Sequence, residues 1–494
     1  MKKKLAIFII IVVTNSVYSQ DILHDAYFRE LKEIGAVFFG HFYQYPNFID
    51  IYKLDPEDFA AKIEEYKLPF SNLTNSYYGK LDSQFIHLQE VNNDLFFDKF
   101  LIEYNYKHKL YTKETRELPT SIQIRLRGHN IKLNNPDYLE LEGYKEYIET
   151  FLQLKSDELL RNRVFKSSNN KQLESKLSLL PEYFSNEKCL NYWQHYFLKK
   201  HIEDCGVKNI KDHIEEFVLN CNDSVLKSEI LQLYEKELKE RTDHKILTYK
   251  RVGGFELDMH LFLPDSSLYS EVNKTAFIYF HGGGWTEGKP DWFFETCRNH
   301  AKNGVVAAAV EYRIFNRHGT FPFESVKDAK SAIRWIRENA DRYRIDKEKI
   351  IASGNSAGGH LILCAALLEK YNESTDNLDI SPVPNLMMIN SGVYDLSIAS
   401  GGIWAEIEDR DSIISISPIH NIKKLDAPIL MIHGTNDSYV PCWTAEKFYK
   451  DMQDLSNKVE LQIIDGAGHF FWFDPKFIGE GWKVEKDFLK SNGY

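Results

Sequence analysis

The chain has 494 residues, 43% of them apolar and 27% charged, the balance of a folded protein too long for a single hydrophobic core, so two domains are the default. Its formal charge of −11, with no stripe of Lys or Arg to offset it, argues against a nucleic-acid partner. Aromatic residues reach 14%, with 28 Tyr and 32 Phe, a load that points to large buried rings more than to aromatic binding surfaces.

Residues 1–20, MKKKLAIFIIIVVTNSVYSQ, are predicted to be a secretory signal. Lys2, Lys3 and Lys4 form its positive start, residues 5–13 its apolar core, and Val17 and Ser19 are small enough for cleavage before or after Gln20. The apolar core is too short for the ~20 residues that span a bilayer. No Cys follows it closely, so lipid attachment is not expected. The mature protein is therefore expected in the periplasm or outside the cell, without stable membrane insertion. Six cysteines remain, Cys189, Cys205, Cys221, Cys297, Cys364 and Cys442, and none forms a C-x-x-C. Their spacing supports neither a redox motif nor a zinc site and leaves any disulfide pairing open.

Residues 21–142 are predicted to be strand-rich, because KFLIEYNYKH (99–108) and SIQIRLRGH (121–129) alternate apolar and polar residues. Residues 143–244 are predicted helical. SNEKCLNYWQHYFLKKHIEDCG opens at Ser185 as N-cap and closes at Gly206, and NIKDHIEEFVLN and SVLKSEILQLYEKELKER follow as amphipathic segments. No fixed-period repeat suggests a propeller or solenoid. In the stretch 150–241, the phrases YFSNEKCLNYW and KNIKDHIEEFV resemble the helical region preceding the thioredoxin-like domain of some exported bacterial proteins, although no such redox domain follows. The N-terminal half as a whole is expected to form a separate α+β domain, with a polymer or a protein as its candidate partner.

From residue 245 to 494, strands and helices alternate. KILTYKRVGGFELDMHLFLP reads as a hairpin turning at Gly253-Gly254. TAFIYF (275–280), VVAAAVEY (305–312), KIIAS (349–353), LMMINSG (386–392), PILMIHG (428–434) and VELQIID (459–465) are short apolar strand candidates. FESVKDAKSAIRWIREN is an amphipathic helix with Val326, Ala329, Ile333 and Ile336 on one face. Such alternation predicts an α/β domain, a mostly parallel sheet covered by helices on both faces, with its ligand site beyond the carboxyl ends of the strands.

Four of those strand ends carry candidate chemistry. After KIIAS comes GNSAG, with Ser356 at the apex of a small-residue turn that leads into a helix. After TAFIYF comes HGGGW, whose glycines Gly282, Gly283 and Gly284 let backbone N–H groups approach a substrate oxygen. Asp437 lies just beyond PILMIHG, and His469 just beyond VELQIID. A lone Asp after a strand is usually a turn former and a lone His in a loop usually nothing. Packing needs alone do not put four such matches in the order Ser, Asp, His at successive strand ends.

HGGGW, GNSAGG, HGTND and GAGHFF together resemble the esterase branch of the α/β-hydrolases, the hormone-sensitive-lipase-like and the bacterial acetylxylan- and feruloyl-esterase-like enzymes. EYRIFNRHGT, PFESVKDAKSAIRWIREN and SPIHNI add to the carbohydrate-esterase likeness, which covers residues 245–494. It implies an α/β-hydrolase fold, a serine carboxylesterase activity, and backbone donors at Gly283, Gly284 and Ala357 for the oxyanion. Ser356 is the expected nucleophile, His469 the base, and Asp437 the group that orients it; no metal or organic cofactor is called for. Many relatives have an acidic residue where Asn355 stands. Asp395, also after a strand, is the rival for the acid role. His281 is read as support for the glycine loop, His360 as a packing residue, and His433 as organising the Asp437 loop. Trp285, Phe315, Phe470 and Trp472, with Phe471 beside them, are candidate pocket residues. The expected substrate is a small-molecule or oligosaccharide ester, bearing an acetyl or aromatic acyl group. A general short-chain esterase or a prolyl-oligopeptidase-type peptidase is the alternative, as is a binding protein with secondary catalysis.

Overall fold

The computed structural model describes residues 22–43, 47–162, 165, 168–267, 274–398, 403, 404, 407 and 409–494; the expected leader lies outside them. No helix among the described residues is long and apolar enough to cross a membrane. The chain forms two compact units. One comprises Met1–Phe165, Glu174–Phe197 and Cys221–Leu226, the other Lys166–Leu173, Leu198–Asn220 and Lys227–Tyr494.

The first unit corrects the expected strands, since every regular element described before residue 245 is a helix. KFLIEYNYKH lies inside the helix Ser83–Thr112, whose buried residues Phe96, Phe97, Phe100, Leu101, Tyr104 and His108 repeat at helical spacing. Asp82 caps its start, accepting from the N–H groups of Gln84 and Phe85. SIQIRLRGH lies in the helix Thr120–Lys132. Ile122 and Leu126, one helical turn apart, pack on the core while Ile124 between them is 64% exposed. The apparent alternation was a helical stripe sampled over too few residues. The helix expected to start at Ser185 spans Glu187–Cys205 and is capped one residue later, by Asn186 Oδ1 on the N–H groups of Lys188 and Cys189. Aromatic richness is burial here. The Phe38 ring meets those of Phe42, Phe70, Phe96, Phe97 and Phe100.

The second unit is built on one eight-stranded sheet: β1 (Lys245–Val252), β2 (Phe255–Phe262), β3 (Lys274–Phe280), β4 (Val306–Val310), β5 (Ile345–Asn355), β6 (Leu386–Asn390), β7 (Ile429–Gly434) and β8 (Val459–Ile464). The spatial order is β1-β2-β4-β3-β5-β6-β7-β8. β1 and β2 form an antiparallel hairpin and β2 runs antiparallel to β4; every later pairing is parallel. β4, VAAAV, is buried along its whole length, as a strand covered on both faces must be. One apolar core holds Val326, Ala329, Ile333 and Ile336 of the helix Pro322–Glu338, and a second lies under Phe294, Cys297 and Phe488. This is the α/β-hydrolase architecture.

The chain order reverses beside β3, because β4 lies on one side of it and β5 on the other. Such a reversal opens a crevice at the carboxyl ends of the strands. Phe280 pairs with Gly354, so the glycine loop and the serine turn leave the sheet side by side.

The change from helix to strand at residue 244 is not where this compact unit begins. Lys208 reaches Asp258 at 2.6 Å and Glu311 at 2.7 Å. Glu237 pairs with Lys289 at 2.7 Å, and Arg241 with Asp291 at 2.6 Å. These pairs join residues 198–244 to the sheet region, so composition marked a change of secondary structure and not a boundary between units.

Candidate active site

Ser356 sits between β5 and the helix Ala357–Leu367 with φ 51° and ψ −120°, a conformation that side-chain-bearing residues rarely adopt and that marks stored backbone strain. Its N–H donates to Asn390 O at 3.0 Å and its carbonyl accepts from His360 N–H at 3.1 Å, so both sides of the turn are held. The small residues around it follow from close approach. A Cβ on Gly358 would lie 2.0 Å from Phe280 O, and the helix could not then pack against β3. The same tightness exposes the hydroxyl at the apex.

Asp437 and His469 come from the loops after β7 and β8, which are tied by the Asn436 N–H on Ala467 O at 2.9 Å. His469 Nδ1 lies 2.7 Å from Asp437 Oδ2. That bond occupies Nδ1 and leaves Nε2 as the ring nitrogen for a substrate-side proton. His433 Nε2 lies 3.2 Å from the same carboxylate oxygen, and the N–H groups of Tyr439 and Val440 donate to Oδ1. Burial works to raise the Asp437 carboxyl, but the bonds from His433, His469 and Val440 outweigh it and hold it well below the usual carboxylate range. It is a fixed anion beside the imidazole. Asp395 accepts from the Ser397 N–H at 2.8 Å and caps its own turn. Among the described residues Ser356 and His469 share no hydrogen bond; such contacts often tighten only when substrate binds.

Gly283 has φ +105°, and a Cβ there would lie 2.1 Å from Glu287 O, so only glycine fits. Its carbonyl is occupied by the Thr286 and Glu287 N–H groups. The loop lies against the nucleophile, since a Cβ on Gly282 would stand 3.3 Å from Ser356 Cβ. Ala357 opens its helix, so its N–H is one that a helix start leaves without an intrahelical acceptor. His281 stacks on Tyr312 with ring centroids 4.2 Å apart, and the Tyr312 hydroxyl donates to His281 O. Burial pushes the His281 ring down to about 4, only partly opposed by its bond to Gly282 O, so it is a neutral strut for the loop. His360, buried and bonded to Ile416 O, is pushed down to about 4 in the same way.

The expected pocket residues divide. Trp285 is buried, edge-on to His360 and Trp404, and packs beneath the glycine loop without offering a face to substrate. Phe315 packs on the core beside Phe321. Phe470 and Trp472 stay beside His469, at ring separations of 4.9 and 5.8 Å, while Phe471 is buried in the second core. Tyr439, its ring 5.1 Å from that of His469, was not singled out from sequence, and nothing in its local pattern distinguishes it.

Residues 259–452 match the BD-FAE family model, a span that encloses the glycine loop, Ser356 and Asp437. A probable isoprenylcysteine alpha-carbonyl methylesterase of Oryza sativa is 28% identical over 225 residues, 41% of this chain and 52% of that protein. Esterase LipC of Mycobacterium tuberculosis is 28% identical over 213 residues, 39% of this chain and 52% of that protein. The chain thus spans about half the length of the curated relatives it matches. A thermophilic esterase from Thermogutta terrifontis is similar at 30% identity and a TM-score of 0.47, over 51% of this chain and 94% of that one. The C-terminal region of this chain is an α/β-hydrolase of the esterase class.

Proposed function

We propose that the protein is an exported serine carboxylesterase that removes acetyl or aromatic acyl groups from carbohydrate esters. The observation that carries the chemistry is the 2.7 Å bond between His469 and a permanently ionised Asp437, on loops that leave the same sheet edge as Ser356. In this reading His469 Nε2 takes the Ser356 proton as Oγ attacks the ester carbonyl. The oxyanion of the tetrahedral intermediate accepts from the N–H groups of Gly283, Gly284 and Ala357, each such donor being worth about 10²–10³ in rate. Collapse expels the alcohol, which receives the proton from His469. Water, deprotonated by the same nitrogen, then attacks the acyl-enzyme and releases the carboxylic acid and free Ser356.

The leader-like residues 1–20 and the carbohydrate-esterase phrases support the sugar ester and the export. The names of the curated relatives favour a second reading, an esterase of small or lipidic esters. A panel of acetylated xylan, a feruloyl ester and a butyrate ester separates the two, with the Ser356→Ala protein as control. Turnover of the butyrate alone overturns the carbohydrate reading, and equal rates in wild type and Ser356→Ala overturn the nucleophile. Export is tested by fractionation: protein of full precursor mass confined to the cytoplasm contradicts it.

A further inference from the structure

Behind the nucleophile turn is a cavity of about 180 Å³ in which Asn355, the residue before Ser356, is exposed on one side. About six water volumes, it has room for one small ring. Its depths are polar in an unusual way. Among the described residues the buried Asn355 Oδ1 has no hydrogen-bond partner, and neither does Asn390 Oδ1 or Trp472 Nε1. Asn390 Nδ2 donates to Glu485 Oε1 at 2.9 Å. Burial raises the Glu485 carboxyl, against that one bond, so it is more readily protonated than an ordinary glutamate. Trp292 and Trp482, both partly open to solvent, form aromatic walls.

Unpartnered buried polar atoms cost roughly 1–3 kcal/mol each, and three converging on one cavity are the mark of a ligand that bonds to them. A hydroxyl both donates and accepts, so it satisfies a carboxamide whichever way that group is turned, as well as an indole N–H. No cation lines the cavity to receive an anion. The unpartnered indole donor is unsuited to an ammonium. A ring that carries several hydroxyls and presents C–H faces to aromatic walls meets all these demands.

The cavity also adjoins the catalytic groups. The Trp472 ring stands 5.8 Å from that of His469, and the Trp292 ring 6.0 Å from that of His281 at the root of the glycine loop. His469 is the group that hands its proton to the departing alcohol, so a cavity walled by its neighbour lies on the alcohol side of the ester.

We propose that this cavity is the leaving-alcohol subsite and holds one neutral sugar ring of the substrate, with Asn355, Asn390, Trp472 and Glu485 as its hydrogen-bonding groups. It rests on the carbohydrate-ester reading and makes it specific. Asn355 then has a reason to replace an acidic residue. A neutral carboxamide bonds hydroxyls there without placing a second anion beside the nucleophile.

The test titrates the full-length Ser356→Ala protein with xylobiose, following tryptophan fluorescence and calorimetry. The expected result is saturable binding in the millimolar range, weakened at least fivefold by adding Trp472→Phe, which keeps a ring and removes the N–H. Asn390→Leu, checked for folding by its melting curve, is expected to weaken binding by at least as much. Absence of binding overturns the subsite, and so does binding that both substitutions leave unchanged. The carbohydrate reading is judged separately, by whether wild type hydrolyses acetylated xylo-oligosaccharides. Hydrolysis with unaltered binding in both variants leaves that reading standing and rejects this cavity as its subsite.

Discussion

His433 Nε2 stands 3.2 Å from the Asp437 oxygen that also receives His469. The carboxylate is thus held from two sides, which fixes the direction in which it presents itself to the catalytic imidazole. Asp437→Asn is expected to lower kcat on p-nitrophenyl acetate by about 10⁴, because the wrong tautomer of His469 is then favoured. His433→Asn, which removes one bond to a charged group, is expected to cost about tenfold. Steady-state kinetics on the two proteins check both, and a wild-type kcat in Asp437→Asn would rule out its orienting role.

The strain at Ser356 makes a prediction about stability. Glycine adopts φ 51°, ψ −120° without a Cβ penalty, so Ser356→Gly is expected to be inactive and yet more stable by about 1–2 kcal/mol. Urea unfolding measures the difference. A less stable Ser356→Gly would mean that the turn carries no strain.

Gly358→Ala is expected to be severe although it adds one methyl group, because its Cβ would fall 2.0 Å from Phe280 O. Separating β3 from the helix Ala357–Leu367 is expected to cost about 3 kcal/mol, and to displace the nucleophile as well. A melting temperature within a degree of wild type would contradict the packing described here.

Acid sensitivity follows from buried neutral histidines. Burial lowers His281 and His360 to about 4 and His318 to about 3, from an ordinary value of 6.5. Between these values the unfolded chain binds protons that the folded one refuses. Their contribution to stability is therefore complete above pH 6.5 and falls as pH drops toward 4. With three such groups the slope approaches about 4 kcal/mol per pH unit near pH 5. Urea midpoints at pH 7.5, 6 and 5 check the trend, and His360→Gln is expected to flatten it by one proton.

Lys208 tests how the sheet region is completed. Glu311 is buried between Lys208 and Arg317, and the two cations overcome burial to hold it well below the usual carboxylate range. Lys208→Ala is expected to destabilise the protein by about 2 kcal/mol, leaving one oxygen of that carboxylate poorly satisfied. For the same reason a fragment starting at residue 245, which lacks Lys208, Glu237 and Arg241, is expected to melt well below the full chain.

Much of the catalytic half was legible as text. A parallel strand covered on both faces is an apolar run such as VAAAV, and chemistry in this architecture collects at the ends of such runs. Ser356, Asp437 and His469 could therefore be found one at a time. The glycines of HGGGW and GNSAG were equally plain, because backbone crowding admits nothing larger. In the first 142 residues the same method misread helices as strands. A stripe with period 3.6, seen through eight or ten letters such as SIQIRLRGH, imitates alternation, and only the burial of Ile122 and Leu126 with Ile124 left outside separates the two.

What no local pattern carries is convergence across the chain. Lys208 and Glu311 are 103 residues apart, and Asn390 and Glu485 are 95. The cavity that gathers Asn355, Asn390, Trp472 and Glu485 exists because the last helix, Ile478–Ser491, brings Glu485 to Asn390 at the end of β6. Strand ends announce themselves in sequence through local backbone geometry. Which distant side chains are left facing one another, and which of their polar atoms go unpaired, depends on how helices and loops settle around the sheet.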